Sequence, residues 1–200
     1  MLNAIEFYKQ FQDSVVENRI HKDGRTFLEI YKTDEPAFTE LVNKTLIKTI
    51  IENSGLTAQH EYFRIDTVGW NGRYEALDAK ESKQIGLNRH LWDLEIAVEH
   101  ENNKADWLDE LIKLIHIRCP LKVVIGYNYC DQREEAEKKK LIYAAKCMQM
   151  VKAFHTPDQE EYLILIGNGA PKDKRHETYS CFDYRAYLYD YQYKGFKRLK

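Results

Sequence analysis

The sequence predicts an α/β domain in which helices flank a mixed β-sheet. The first observation is a strand, a helix and a second strand between Leu91 and Tyr127, which is the order of a βαβ unit with two parallel strands. The second is an alternating, β-rich stretch at Tyr62–Trp70. The third is the helical spacing of apolar residues in the segments before and between these strands. Helices in these positions cover the faces of a central sheet.

The composition is that of a globular protein. Of the 200 residues, 44% are hydrophobic and 31% are charged, a length and composition that suit one domain spanning 1–200. We place its core at about 37–167, with a helix-and-strand extension at 1–36 and tyrosine-rich basic strands at 172–200. No apolar run reaches the ~20 residues that cross a bilayer, and the first residues lack the pattern of a signal peptide. We therefore expect a cytoplasmic protein with no membrane partner.

Cysteine spacing and charge exclude some classes of site. The four cysteines form no CxxC pair, which argues against a zinc knuckle and a disulfide framework. The net charge is −2, but residues 172–200 hold eight Lys or Arg against four Asp or Glu. That segment therefore carries +4, and the first 171 residues carry about −6. A basic wall opposite an acidic site and a solvated basic tail both fit this asymmetry.

The first elements are a helix, a strand and a second helix. Apolar residues recur at helical spacing over Ala4–Glu17, and a β-like stretch at Thr26–Tyr31 follows a turn signal. The next helix is marked by Pro36, which suits its first turn, and by Gly55, which suits its C-terminal cap.

The strands of the sheet come next. Tyr62–Trp70 alternates, and Asn71-Gly72 is a strong signal for a tight turn, after which Arg73–Leu77 is expected to return as the partner strand. A further strand is predicted at Leu91–Glu101, followed by a helix capped by Asn102 or Asn103. The later elements are predicted as a strand at Leu121–Tyr127, a helix at Asp131–Phe154, a strand at Tyr162–Ile166 and edge strands between Tyr179 and Tyr193.

The end of the strand at Leu91–Glu101 is the first place where chemistry is expected. Glu99 and Glu101 project from the same side of an extended chain, within reach of one cation. Two carboxylates this close repel each other unless a cation lies between them, and Mg²⁺ prefers such oxygen ligands. Alternatively, the strand ends at Val98 and both acids are solvated. The two expected faces are Glu95, Ala97, Glu99 and Glu101 on one side, and Leu94, Ile96, Val98 and His100 on the other.

Asp66 is the third acid of interest. It lies within an alternating β-rich segment, where propensity disfavours an acid. An edge strand with Arg64 and Asp66 directed to solvent is the alternative explanation.

Together these features give the order helix, strand with Asp66, hairpin, strand ending in Glu99-His100-Glu101, helix, strand. This order resembles the core of the PD-(D/E)XK nuclease superfamily, in which an acid on one strand and a (D/E)-x-K pair on the next bind a divalent metal. The resemblance covers roughly Ala37 to Gly167. It implies a restriction-endonuclease-like fold in which Asp66 and Glu99 bind Mg²⁺ or Mn²⁺. Glu101 falls where the family usually has lysine, a departure that some restriction endonucleases of this fold share. Glu101 is therefore included as a residue that binds a second metal or accepts the proton of the attacking water.

The departure leaves the task of the usual lysine unassigned. Lys104 and Lys113 are candidates, and Lys113 is preferred because related folds relocate the lysine to the following helix. Glu40 is added as a metal ligand because members often carry an acid on the helix before the strands. Glu110 borders the apolar face of its helix and could also reach the site. For all four residues, an ordinary surface position is the alternative.

The resemblance implies hydrolysis of DNA phosphodiester bonds by a metal-activated water. DNA is then the partner, and a homodimer would suit symmetric double-strand cleavage. The alternative function is a catalytically inactive domain of the same fold that acts as a protein-interaction or regulatory module. The residues that would contact DNA phosphates and bases are Tyr184, Arg185, Tyr187, Tyr193, Lys194, Lys197 and Arg198. An amphipathic, tyrosine-rich edge strand is the alternative explanation for this segment.

Overall fold

The protein is a mixed α/β protein with a seven-stranded mixed sheet flanked by helices. The structure is a computed structural model, and it describes residues 2–17, 23–72, 84–86, 92–129, 134–154, 160–169 and 183–200. The predicted α/β class with a mixed central sheet is thereby confirmed.

The strands lie in the sheet in the order in which they occur along the chain. Strands β3, β4 and β5 are parallel, and every other neighbouring pair is antiparallel. The carboxyl ends of the three parallel strands therefore meet at one edge. The bounds are β1 Thr57–Tyr62, β2 Ile65–Gly72, β3 Trp92–His100, β4 Leu121–Asn128, β5 Glu161–Asn168, β6 Tyr184–Asp190 and β7 Gly195–Arg198.

Helices cover both faces of the sheet. The N-terminal helices pack on one face, where Phe38 and Val123 belong to the same buried cluster. The two later helices pack on the other face, where Leu111 and Val124 share a second cluster. All eight residues of β4 are buried, as expected for a central parallel strand. The helices are α1 Ala4–Glu17, α2 Phe27–Thr33, α3 Glu35–Glu40, a π-helical segment Leu41–Ile47, α4 Lys48–Asn53, α5 Trp107–Ile115 and α6 Glu135–Met150.

The strand predicted at Thr26–Tyr31 is wrong, because this segment forms α2. Thr26 caps the helix: its hydroxyl accepts a hydrogen bond from the Glu29 amide (3.2 Å), and the Glu29 carboxylate accepts one from the Thr26 amide (2.7 Å). This capping box satisfies amides that the first helical turn leaves unpaired. Local capping and burial of Phe27 and Ile30 override the β-propensity of the segment.

The predicted turn at Asn71-Gly72 is also wrong. Both residues lie within β2, which continues because Asn71 and Gly72 pair with β3. The hairpin turn falls earlier, at Phe63-Arg64, and joins β2 to β1, a polar strand that apolar alternation does not reveal. The expected partner strand at 73–77 lies outside the described residues.

A β-bulge changes the faces predicted for β3. Gly69 pairs with Ile96 and Trp70 with Leu94, so Glu95 has no partner in β2. Leu94 therefore packs with the cluster under α5 and α6, opposite to the face of Ile96. Beyond the bulge the predicted alternation holds through the carboxyl end of the strand.

The boundaries of the two later helices differ from their predictions. The helix after β3 begins at Trp107, and Asn103 stabilises the preceding turn by accepting a hydrogen bond from the Ala105 amide (3.1 Å). The predicted cap at Asn102 or Asn103 is therefore wrong. The long helix runs over Glu135–Met150, and residues 131–133 of its predicted start lie outside the described part of the chain. Among the helices that are described, none has the length and apolar character needed to cross a membrane.

Candidate acidic site at the ends of β2 and β3

Asp66 and Glu99 meet at the same end of two neighbouring strands. Thr67 pairs with Val98 in the antiparallel β2–β3 ladder, so Asp66 and Glu99 are the next residues along it. The Asp66 amide donates to Oε2 of Glu99 (3.3 Å), and Oδ2 of Asp66 accepts from the His100 amide (2.8 Å). Each carboxylate is thus held by the backbone of the opposite strand.

Lys113 joins these acids from the helix that packs over them. Its ammonium nitrogen lies 2.8 Å from Oε1 of Glu99 and contacts the carboxylate of Glu110. It also donates a hydrogen bond to the carbonyl of Arg64 (3.0 Å). Trp107 and Leu111 anchor α5 in the core, and the three-residue spacing of Glu110 and Lys113 brings both side chains to one flank of the helix. The hairpin, two strands and α5 therefore converge on one ammonium group.

Burial determines the electrostatics of this cluster. Glu99 is only 1% exposed, and burial raises its pKa to about 8, an effect that Lys113 opposes and Asp66 reinforces. Burial also raises the pKa of Asp66. For Lys113, burial alone would lower the pKa, but its contacts with Glu110 and Glu99 outweigh this and raise it. Two carboxyl groups thus contact one ammonium and a third, Asp66, lies beside them, a combination in which one more positive charge would be favourable.

The acidic cluster can offer a divalent cation two carboxylate ligands, but not a complete coordination shell made of protein side chains. Mg²⁺ in phosphoryl-transfer sites is often held by one or two carboxylates, with water and phosphate oxygens completing the shell. Asp66 and Glu99 provide such a pair, and Oε1 of Glu99 is buried without a hydrogen bond in the described structure. Its close contact with Lys113 is an ion pair with poor hydrogen-bond geometry. The described residues contain no group of three or more His, Cys, Asp or Glu side chains placed to hold a metal ion.

The structure does not bring Glu101 into this cluster. The strand ends at His100, and Oε1 of Glu101 accepts a hydrogen bond from the Asn103 amide (2.6 Å) within the following turn. The alternation that would place Glu101 beside Glu99 stops where the strand stops. Glu101 therefore lies outside the contacts that join Asp66, Glu99 and Lys113.

Glu40 lies near the site without contacting it. Its side chain is largely exposed and forms an ion pair with Lys44 (3.1 Å) along the helix. It does line a surface groove of about 540 Å³ together with Asp66 and Glu61. The groove gives Asp66 an opening to solvent, and its acidic walls add negative potential there.

Of the residues weighed for the lysine role, only Lys113 reaches the acids. Lys104 donates to the hydroxyl of Tyr31 (2.7 Å), a residue of α2 on the other side of the sheet. Glu110, for which the sequence favours a position on the helix surface over a place in the site, shares the ammonium with Glu99. The contact of Lys113 with the carbonyl of Arg64 could not be predicted from the sequence, because it depends on where the hairpin turns.

His100, which lies between the two glutamates, has a structural role. Its ring is buried on the opposite face of the sheet, and Nε2 lies 2.8 Å from the hydroxyl of Tyr127. Burial lowers the pKa of His100 to about 3, so the ring is neutral at pH 7. It packs against Phe38 in the core and is separated from the acids by the strand backbone.

The predicted DNA-contacting set at the C-terminus is wrong for Tyr184 and Arg185. Both are buried, because β6 is an inner strand between β5 and β7. Arg185 donates to both carboxylate oxygens of Glu137 and to Oδ1 of Asn168 (2.7 Å), so its guanidinium supports the fold. Tyr193 and Lys194 are exposed, and Lys197 pairs with Asp190.

Comparison of the chain with family models, with curated proteins and with solved structures found no match. The class defined by the fold is therefore a mixed α/β protein whose acidic cluster lies at the edge of a seven-stranded sheet.

Proposed function

We propose that this chain is a metal-dependent deoxyribonuclease that hydrolyses phosphodiester bonds at Asp66 and Glu99. The observation that carries the proposal is the convergence of Asp66 from β2, Glu99 from β3 and Lys113 from α5. An acid on each of two neighbouring strands, followed by a helix and a parallel strand, is the arrangement that the PD-(D/E)XK resemblance implies. A restriction-endonuclease-like fold is part of the same proposal.

Each residue has a role in this reaction. Asp66 and Glu99 would hold Mg²⁺ or Mn²⁺, a cation that would supply polarisation of the scissile phosphate and a lower pKa for a bound water. Backbone amides of the opposite strands orient both carboxylates before any ligand arrives. Lys113 supplies the positive charge that Glu101 cannot, positioning the attacking water or stabilising charge on the phosphate. Glu110 would keep the Lys113 ammonium beside the site if Glu99 bound a cation.

A second candidate function is an inactive domain of the same fold that serves as an interaction module. The observation that favours it is the ion pair of Lys113 with Glu99, which compensates the buried acid without a metal. The two functions differ in whether the acids bind a divalent cation and whether DNA is then cut.

Calorimetric titration with Mn²⁺ and Mg²⁺ tests the metal site. We expect the wild type to bind Mn²⁺ at millimolar or lower concentration and Glu99→Gln to lose this binding. Glu95→Gln is the matched control, because Glu95 lies in the same strand at the bulge, where it lines a different groove. If the wild type bound neither cation, or if Glu99→Gln bound them equally well, the proposed enzymatic function would be refuted.

Cleavage of plasmid and of linear DNA then separates the two functions. We expect Mn²⁺- or Mg²⁺-dependent cleavage by the wild type and by Glu95→Gln, with a loss of about 10²-fold or more in Asp66→Asn and Glu99→Gln. Metal binding without any cleavage would favour the inactive module.

A further inference from the structure

The hairpin between β1 and β2 is built from residues that disfavour its backbone conformation. Tyr62 pairs with Ile65, so the loop has only two residues, Phe63 and Arg64. Their φ angles are 50° and 62°, and Glu61 just before them also has a positive φ of 53°. A two-residue loop with positive φ at both positions normally uses Asn-Gly, because a bulky side chain is strained there. Such strain is often retained where a side chain has a function.

The side chains at this turn are exposed. Phe63 is 78% exposed, although its ring packs edge-to-face against the ring of Tyr62, with the centroids 4.6 Å apart. Tyr62 in turn packs against Trp92 of β3, with the ring centroids 5.6 Å apart, so three aromatic rings contact one another in succession. Arg64 is also exposed, and it forms no ion pair with any residue that the structure describes.

The turn is attached to the candidate site. The carbonyl of Arg64 accepts a hydrogen bond from Lys113 (3.0 Å), the same ammonium that contacts Glu99. Asp66 follows Arg64 by two residues on β2. A phosphate bound at Asp66 and Glu99 would therefore have its neighbouring nucleotides beside Phe63 and Arg64.

We propose that Phe63 and Arg64 bind single-stranded DNA next to the scissile phosphate. The Phe63 ring stacks on an unpaired base, and the Arg64 guanidinium binds a backbone phosphate. A base offers its face to such a ring only when it is free of its duplex neighbours, so the turn selects single strands or frayed ends. Stacking accepts any base, so no strong sequence preference is expected. This inference rests on the proposed nuclease function and specifies its substrate.

Fluorescence anisotropy with a labelled single-stranded oligonucleotide in EDTA tests the turn apart from the metal. We expect Phe63→Ala to weaken binding about tenfold and Arg64→Ala to weaken it while lowering the salt dependence. Tyr143→Ala and Arg118→Ala are matched controls, because these residues are exposed on other surfaces. They should bind like the wild type. The wild type should bind the corresponding duplex more weakly than the single strand.

A double variant separates binding from turn formation. The double variant Phe63→Asn/Arg64→Gly has the preferred turn sequence, so its melting temperature should rise while its single-strand binding falls. Wild-type binding by this variant and by Phe63→Ala would overturn the inference, as would stronger binding of duplex. Metal binding and cleavage are measured separately. If they fail, the proposed nuclease function is refuted, but the DNA-binding result in EDTA still decides whether Phe63 and Arg64 bind single strands.

Discussion

The ammonium of Lys113 lies 2.8 Å from Oε1 of Glu99, a carboxyl group that is almost completely buried. A buried acid needs a proton, a partner or a cation, and here a lysine from the neighbouring helix provides the partner. The ammonium occupies the side of Glu99 at which a metal would bind. Stability, metal affinity and catalysis should therefore all depend on this pair.

Substitutions of Glu99 and Lys113 should have non-additive effects on the free energy of unfolding. Above pH 8 Glu99 is ionised, and Lys113→Met leaves this buried acid without its counter-charge. There we expect the free energy of unfolding to fall by about 1–3 kcal/mol, since Lys113 is partly exposed. In a Glu99→Gln background the cost should be smaller by at least ~0.5 kcal/mol. Urea unfolding of the four proteins of the cycle measures this. Additive costs would show that the pair contributes nothing.

Removing Lys113 should have opposite effects on metal binding and on cleavage. If the ammonium competes with the cation for Glu99, Lys113→Met should bind Mn²⁺ about tenfold more tightly, which corresponds to ~1.4 kcal/mol. The same variant should lose cleavage because the charge at the phosphate is gone. Calorimetry and plasmid cleavage on one preparation give both values. Weaker Mn²⁺ binding in Lys113→Met would contradict this competition.

Glu137 should be one of the most sensitive acids for stability. It is buried and accepts hydrogen bonds from Arg185, Tyr187 and Asn128. Glu137→Gln leaves a buried guanidinium without its counter-charge, and we expect a loss of about 3–5 kcal/mol in the free energy of unfolding. Glu135→Gln on the exposed face of the same helix is the control and should change it by less than ~0.5 kcal/mol. Guanidinium chloride unfolding compares the two variants.

Cys119 should resist alkylation in the native protein. Its thiol is buried and donates to the carbonyl of Leu121 (3.4 Å), and burial raises the pKa of Cys119 to about 12. Because the thiolate is the reactive form, almost none is present at pH 8.5, and reactivity should appear only on unfolding. Iodoacetamide labelling followed by peptide mass spectrometry, with and without denaturant, measures it. Rapid labelling of the native protein would show that this end of β4 opens readily.

Several elements could be predicted because their patterns are local. Helix α1 follows from apolar residues at helical spacing, and β4 from an unbroken apolar run that suits burial on both faces. The patterns failed where another interaction outweighed propensity. The capping box at Thr26 made a helix of a β-rich segment, and pairing with β3 carried β2 through Asn71-Gly72.

The acidic site was predictable only in part. Asp66, Glu99 and Lys113 were all candidates from residue type and position, and the structure places them together. Glu101 was expected to join them by alternation, which requires the strand to continue, and it ends one residue earlier. The separation of Lys104 from the acids depends on which side of the sheet each side chain packs, which spacing along the chain does not specify.

The sequence by itself determined the layered α/β architecture, because a strand covered on both faces and a helix packed on one face each need a distinctive order of apolar residues. The tertiary structure decided which polar groups meet. Asp66 and Glu99 are 33 residues apart and reach each other only through the β2–β3 register, while Lys113 reaches them only through the packing of α5. The energies that set this register and packing are spread over the whole core, so no local pattern contains them.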